Sequence, residues 1–181
     1  MLRLCLCLLC ALLVASGCGG GRGEPAPATP ARAAEPQTNE LGWREAYPAT
    51  GPQLRFRVGR LEVREDGWSV DVAIENATSI PFELGARPLE LQFGLVLFRT
   101  GELEELESAP LPSIRRAKSI RPPPPDVLTA GRTWRATLSA PGSLADGAFL
   151  RVSFGTLVAV GEPPPDMQPA VVWITDKAYR L

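Results

Sequence analysis

Hydrophobic and polar residues alternate along most of the chain beyond residue 40, and this alternation predicts half-buried β-strands. Proline and glycine interrupt the pattern at short intervals and predict turns. Only residues 101–108 have the composition of a brief helix. The predicted strands cover residues 54–65, 68–74, 89–98, 134–139, 150–160 and 171–175. Short strands joined by turns predict an all-β fold, an immunoglobulin-like antiparallel sandwich of about seven strands.

The dipeptide Asp66-Gly67 marks a hairpin between the first two predicted strands. Asp-Gly favours a two-residue turn because both central positions adopt positive φ. Such a turn places Val63 opposite Val70 and Leu61 opposite Val72. The apolar side chains of both strands then share one face, as a half-buried sheet requires.

Two pairs of apolar residues indicate where a strand stays regular and where it is interrupted. Phe56 and Leu61 are an odd number of residues apart, so in one regular strand their side chains would point to opposite faces. Both are apolar, which predicts a β-bulge or a strand break near Gly59. Phe154 has the same parity as Val158, which predicts one continuous inward face along the strand 150–160.

The first 40 residues follow a different pattern. Residues 4–14 are all apolar, Arg3 is the only charge near them, and small residues follow. Eleven residues of helix span about 16 Å against about 30 Å of hydrocarbon, so the segment predicts a cleaved signal peptide and not a membrane span. Residues 19–40 are rich in Gly, Pro and Ala and predict a disordered linker, with the folded domain at 41–181.

The sequence Ala15-Ser16-Gly17-Cys18 resembles the lipobox of bacterial lipoprotein precursors. The resemblance implies removal of residues 1–17 by cleavage between Gly17 and Cys18. It also implies a diacylglycerol on the Cys18 thiol and a further acyl chain, such as palmitate, on the new amine. Ala15 occupies a position that is most often Leu in that family, and an ordinary secretory signal cut at the same point is the alternative. The location implied is the cell envelope, on a bacterial membrane and facing the periplasm or the exterior.

Cysteine and histidine usage limits the chemistry further. Cys5, Cys7 and Cys10 lie in the apolar segment, so Cys18 is the only cysteine left after cleavage and no intramolecular disulfide can form. The chain has no histidine, which excludes Ser-His and Cys-His nucleophiles and His-ligated zinc. With 19 Lys and Arg against 20 Asp and Glu, it lacks the basic excess of a nucleic-acid-binding protein.

Two stretches, residues 69–78 and 128–134, are similar to segments of small immunoglobulin-like modules. Such modules occur on bacterial lipoproteins and on secreted proteins of unknown function. The resemblance implies the fold and assigns no functional residue.

A basic segment is the first candidate for binding chemistry. Its four cations could hold a phosphate, an anionic lipid headgroup or an acidic glycan. The plainer expectation is a solvated loop screened by the acidic residues just upstream. The basic residues are Arg115, Arg116, Lys118 and Arg121, and the acidic ones are Glu102, Glu104, Glu105 and Glu107.

Other candidate chemistry has weaker support. Glu104 and Glu105 are adjacent and would point apart, which is unsuitable for the paired carboxylates of a glycoside hydrolase. No Asp-rich calcium loop and no Ser-x-x-Lys motif is present, so we expect no metal and no cofactor. The triplet Asn76-Ala77-Thr78 matches a glycosylation sequon by chance. Core packing is expected for the aromatic residues Trp43, Tyr47, Trp68 and Trp134.

These observations predict a lipid-anchored envelope lipoprotein whose sandwich domain binds or scaffolds and does not catalyse. Its expected partners are the membrane, through lipidated Cys18, and another envelope protein or a glycan, with no nucleic acid. One alternative is an envelope hydrolase that uses carboxylates only. The other is a protein that binds anions or anionic lipids through residues 115–121.

Overall fold

The computed structural model describes residues 32–84, 93–107 and 112–181, and nearly all their regular structure is β. One 3-10 helix, Leu103–Glu107, lies where a brief helix was predicted. No helix among the described residues has the length and apolar character needed to cross a membrane. The strands are β1 (Gln37–Tyr47), β2 (Gln53–Val63), β3 (Gly67–Ala77), β4 (Phe82–Leu84), β5 (Phe93–Phe98), β6 (Ser113–Arg116), β7 (Ser119–Arg121), β8 (Val127–Leu128), β9 (Thr133–Pro141), β10 (Phe149–Ala159), β11 (Ala170–Ile174) and β12 (Tyr179–Arg180).

The described strands form two antiparallel sheets. The first sheet has the order β1-β2-β3-β9-β7. In the second, β4 and β5 pair with one side of β10, β11 and β12 pair with its other side, β6 continues from β5 and β8 from β4. The orders β2-β3-β9-β7 and β5-β10-β11 correspond to strands ABED and CFG of an immunoglobulin-type sandwich, with β1 added at one edge. The predicted fold class is confirmed.

The core fills the space between the two sheets with inward-facing side chains. Phe56 of the first sheet meets Phe154 of the second with ring centroids 5.1 Å apart, and Trp134 meets Phe93 at 5.2 Å. Trp68 is 1% exposed. The expectation of core packing is confirmed for Trp43, Trp68 and Trp134, whereas Tyr47 is only partly buried against the core.

The folded domain begins earlier than the predicted boundary at residue 41. Strand β1 starts at Gln37, and before it Ala33 forms a bridge with Ala145. The Asp146 N–H donates to the Arg32 carbonyl over 2.8 Å. The prediction of a linker through residue 40 is wrong over this stretch. Backbone hydrogen bonds, which composition does not report, hold most of it, and the buried Ala34 side chain adds one core contact.

The β2–β3 hairpin exists, but its turn is longer than predicted. Val63 pairs with Trp68, two residues from the expected partner. The loop comprises residues 64–66, and a 2.8 Å hydrogen bond from the Arg64 N–H to the carbonyl of Gly67, the first residue of β3, closes it. The predicted register is therefore wrong by two residues. The inward face is unchanged, because a shift of two preserves the side-chain alternation.

The bulge predicted near Gly59 is confirmed. The β2–β3 register shifts by one residue between Val58 and Leu61. Both of these side chains are buried, Val58 at 2% exposure and Leu61 at 0%. The extra residue thus lets apolar positions of opposite parity face the same core.

A second irregularity, in β10, was missed. Gly155 has a φ of +70° and its register with β11 shifts beside it. As a result Leu157 is fully buried, whereas Val160 is 42% exposed. The prediction that Val158 and Val160 face inward with Phe154 is wrong. The bulge adds a residue after Phe154, so odd-numbered positions such as Leu157 face the core beyond it.

Strand β1 ties the first sheet to the C-terminal part of the second. The Glu45 carboxylate accepts hydrogen bonds from the Trp173 indole at 3.2 Å and from the N–H groups of Asp176 and Lys177 at 3.0 Å. The Trp173 ring stacks on Phe56 with centroids 4.9 Å apart. Neither part of this contact follows from local sequence, since Glu45 lies more than 120 residues before its partners.

Candidate functional site

The predicted lipidation and cleavage residues, Cys18 and Gly17, lie outside the described residues. Both therefore remain predictions from the sequence.

The four predicted anion-binding residues are all exposed, but they do not converge. Arg115 and Arg116 lie on β6 in the second sheet, and Arg121 lies on β7 in the first. Lys118 lies where the chain crosses from one sheet to the other. Arg115, Lys118 and Arg121 line three separate depressions.

The expected screening by the acidic segment is not seen among the described residues. Within them, no ion pair joins the basic residues 115–121 to the acidic residues 102–107. Glu105 instead pairs with Arg99 at 3.3 Å. The reason is topological, because the 3-10 helix folds back on the end of β5.

The outer face of the first sheet gathers arginines from four strands. In one cross-strand row, Arg44 of β1 lies opposite Arg57 of β2, which lies opposite Ala73 of β3, which lies opposite Arg135 of β9. Like charges directly opposite each other destabilise a sheet unless something compensates them. This row therefore places positive charge on both sides of a small residue.

The neighbouring row adds a carboxylate, a hydroxyl and another guanidinium. Asp71 pairs with Thr137, and Thr137 pairs with Arg121 of β7. The Thr137 hydroxyl donates to Asp71 Oδ1 over 2.6 Å. The two rows enclose a depression of about 440 Å³ on this face, with Gly59 among its lining residues.

Positive charge exceeds negative charge on this face. Arg55 and Arg57 share one carboxylate, that of Glu75, at 2.8 and 3.0 Å. Within the described residues, Arg121 and Arg135 form no ion pair and no side-chain hydrogen bond. Since the chain as a whole has a net charge of −1, the face is markedly more basic than the remainder of the molecule.

Sequence reasoning found Arg121 but missed its neighbours Arg57, Asp71, Arg135 and Thr137. All four occupy polar positions of predicted strands, so the alternation already placed them on outer faces. Their proximity depends on the order β2-β3-β9-β7, which a single sequence does not give.

The Asn76 side chain of the predicted chance sequon has a structural role. Its exposure is 0%, and its amide donates to the carbonyls of Ile80 at 2.7 Å and Leu128 at 2.9 Å. Its Oδ1 accepts from the N–H and the hydroxyl of Thr78 at 3.1 and 2.7 Å. The amide nitrogen is therefore fully engaged in the folded domain.

Arg151 is a second buried polar residue, 5% exposed on the outer side of β10. Its guanidinium donates to the carbonyls of Thr175 and Asp176 at 2.6 Å and to that of Gly101. It also lies 5.4 Å from the centre of the Phe98 ring. Since carbonyl oxygens satisfy the side chain, it holds two loops against the sheet and is not offered to solvent.

Glu105 caps the end of β5 and has a strongly perturbed pKa. Burial by itself raises the pKa of Glu105. Hydrogen bonds from the N–H groups of Thr100 and Arg99 and from their side chains outweigh burial and lower the pKa from 4.5 to about 2. The ionised form is thus the one that the fold stabilises.

This shift predicts a pH-dependent contribution to stability. Because the folded pKa is about 2 and the ordinary value is 4.5, Glu105 stabilises the fold above pH 4.5 and loses this effect as pH falls toward 2. We expect Glu105→Gln to be destabilising at pH 6 and much less so at pH 2.5, measured by urea unfolding. Glu104→Gln, an exposed neighbour, is the control. An equal cost of Glu105→Gln at both pH values would contradict the prediction.

Acidic residues elsewhere are dispersed. In the part of the chain that the structure describes, no three His, Cys, Asp or Glu side chains are grouped to hold a metal ion. Asp71 and Glu75 lie on the outer face of the first sheet, whereas Glu45 binds the C-terminal segment.

Comparison with known proteins adds no assignment. No protein-family model matches the sequence, and neither a curated protein nor a solved structure is significantly similar to it.

Proposed function

We propose that the protein is a lipid-anchored binding domain of a bacterial cell envelope. The observation that carries the anchor is Cys18, which follows three small residues at the end of an eleven-residue apolar segment and is the only cysteine beyond it. Acylation would also remove a free thiol from a protein exposed to an oxidising compartment.

The energetics favour a durable anchor. Each buried methylene contributes about 0.8 kcal/mol, and a single acyl chain gives only marginal attachment. Two or three chains on Cys18 would hold the domain at the membrane. Residues 19–31, which were predicted to be part of a linker, would separate the anchor from the first described residue, Arg32.

The binding role is supported by the outer face of the first sheet. Arginines there outnumber carboxylates, and the small residues Gly59 and Ala73 leave a depression between them. An immunoglobulin-type sandwich provides a rigid support for such a face, because both its sheets are fixed by one shared core.

The anchor is tested by intact mass and by membrane partition of the native protein. We expect a mature chain that begins at Cys18, carries acyl chains and sediments with membranes until detergent is added. Cys18→Ser should abolish acylation and the cut that depends on it, so its intact mass should be that of the unacylated chain with residues 1–17 still attached. Cys10→Ser is the matched control. Because Cys10 lies in the segment that is removed, this change should leave the mass of the mature chain unchanged. A water-soluble mature protein with an unmodified Cys18 thiol would contradict the proposal.

A further inference from the structure

The depression on the first sheet has the form of a small cradle. Its centre is Ala73, which lies between Arg57 on β2 and Arg135 on β9 in one cross-strand row. Neighbouring strands are about 4.8 Å apart, so the Cα atoms of these two arginines are about 10 Å apart. Their long side chains can reach a common point above the methyl group of Ala73.

Small residues create the space. Gly59 lies where β2 bulges, and a Cβ added there would come within 3.4 Å of the Asp71 Cβ. Ala73 presents only a methyl group where its neighbours in the row carry arginines. A larger side chain at Ala73 would fill the cradle without changing any charge.

The electrostatics of the cradle favour an anion. Arg121 extends from β7 into the same depression as Arg57 and Arg135. Arg121 and Arg135 have no ionic partner among the described residues, and Arg57 shares Glu75 with Arg55. Guanidinium groups bind phosphate and carboxylate oxygens with paired, charge-assisted hydrogen bonds. Two carboxylates oppose an anion here. Asp71 lines the depression, with one oxygen bound by the Thr137 hydroxyl, and Glu75 beside it is bound to Arg57.

We infer that the cradle formed by Arg57, Arg121 and Arg135 over Ala73 binds a phosphate group. The phosphate comes either from a soluble phosphate ester or from an anionic lipid headgroup, and the chemistry of recognition is the same for both. Three guanidiniums can surround the oxygens of a tetrahedral phosphate from three strands, whereas a planar carboxylate needs only one fork. This inference deepens the proposed binding role, on which it rests, and is independent of the Cys18 anchor.

The test is a calorimetric titration of the full mature chain with inorganic phosphate at low ionic strength. We expect saturable binding that Arg135→Gln and Arg121→Gln each weaken about tenfold or more, since each removes a charge-assisted contact. Arg116→Gln makes the same charge change on β6 of the other sheet and should leave the affinity within about twofold. Equal weakening by Arg116→Gln would show nonspecific attraction and overturn the inference.

A variant of unchanged charge distinguishes binding in the cradle from the electrostatic attraction of the protein as a whole. Ala73→Ile should abolish phosphate binding, because the side chain would occupy the space above the row. If Ala73→Ile lowers the melting temperature severely, Ala73→Val serves in its place. Asp71→Asn should tighten binding several-fold by removing an opposing charge. Full affinity in a folded Ala73→Ile or Ala73→Val variant would contradict the inference.

The two sources are distinguished with vesicles. Residues 18–181 with Cys18→Ser, which carry neither the apolar segment nor acyl chains, are mixed with phosphatidylglycerol vesicles and, in parallel, with phosphatidylcholine vesicles. Retention on the anionic vesicles that Arg135→Gln removes identifies a headgroup, whereas binding of inorganic phosphate alone identifies a soluble ester. Absence of binding in both arms would overturn the cradle. Loss of the acyl chains in Cys18→Ser with phosphate affinity intact would support the anchor and the cradle separately.

Discussion

Arg151→Met is expected to lower the free energy of unfolding by about 3 kcal/mol or more. The substitution keeps an unbranched apolar stem in the buried site but removes every donor. The carbonyls of buried Gly101 and Thr175 and of exposed Asp176 then lose this partner, and each unsatisfied buried group costs about 1–3 kcal/mol. The measurement is chemical denaturation of purified variants, with the m-value compared to check that unfolding remains two-state.

Arg180→Met is the matched control for Arg151. Arg180 also lies over a phenylalanine ring, that of Phe149 at 5.9 Å, but it is exposed. An exposed cation–π contact contributes about 0.5–1 kcal/mol, so the control should cost no more than that. Similar stability losses in the two variants would show that the buried hydrogen bonds of Arg151 contribute little.

Asn76→Ala is expected to be destabilising by a similar amount, about 3 kcal/mol. The side chain is completely buried and makes four hydrogen bonds, two donated to Ile80 and Leu128 and two accepted from Thr78. Alanine removes all four bonds from a buried site, although the Thr78 hydroxyl and the Ile80 carbonyl still bond to each other at 3.0 Å. Because Asn76 joins the end of β3 to the segment before β4 and to β8, faster amide hydrogen exchange should appear in both segments.

Two further variants determine which bonds of Asn76 matter. Asn76→Asp has the same shape and retains both accepted hydrogen bonds, but it cannot donate when ionised. It should therefore also be destabilised at neutral pH. Asn39→Ala, at the other asparagine of the chain, removes one partly buried hydrogen bond to Gln37 and should cost about 0.5 kcal/mol. An Asn76→Asp protein as stable as the native one would refute the importance of the donated bonds.

The fold could be predicted where side-chain alternation was the deciding signal. The bulge at Gly59 followed from the parity of Phe56 and Leu61, because two apolar runs of opposite phase can share a face only through an extra residue. The bulge at Gly155 could not be found in this way. Phe154 and Val158 are both apolar and four residues apart, which is the spacing of a regular strand, so the sequence pattern shows no change of phase between them. Strand β1 was missed because its N-terminal half is polar and is held by backbone pairing with β2.

The candidate site was less accessible to sequence reasoning than the fold. Arg115 and Arg121 are close in sequence and were grouped for that reason, yet the chain passes from one sheet to the other between them. Arg57 and Arg135 are 78 residues apart by their numbers and lie in one row only because β3 pairs with both β2 and β9. A cluster of charges that depends on the order of strands in a sheet can be predicted only once the sheet topology is known.

The contact of residues 32–34 with the β9–β10 connection determines how the domain responds to mechanical load. The Ala34 N–H donates to the Leu144 carbonyl, and Asp146 donates back to Arg32. A pull applied from the amino-terminal side reaches these two hydrogen bonds before it reaches β1. They would rupture first and lengthen the chain by a few residues, so that moderate tension is absorbed while both sheets stay intact.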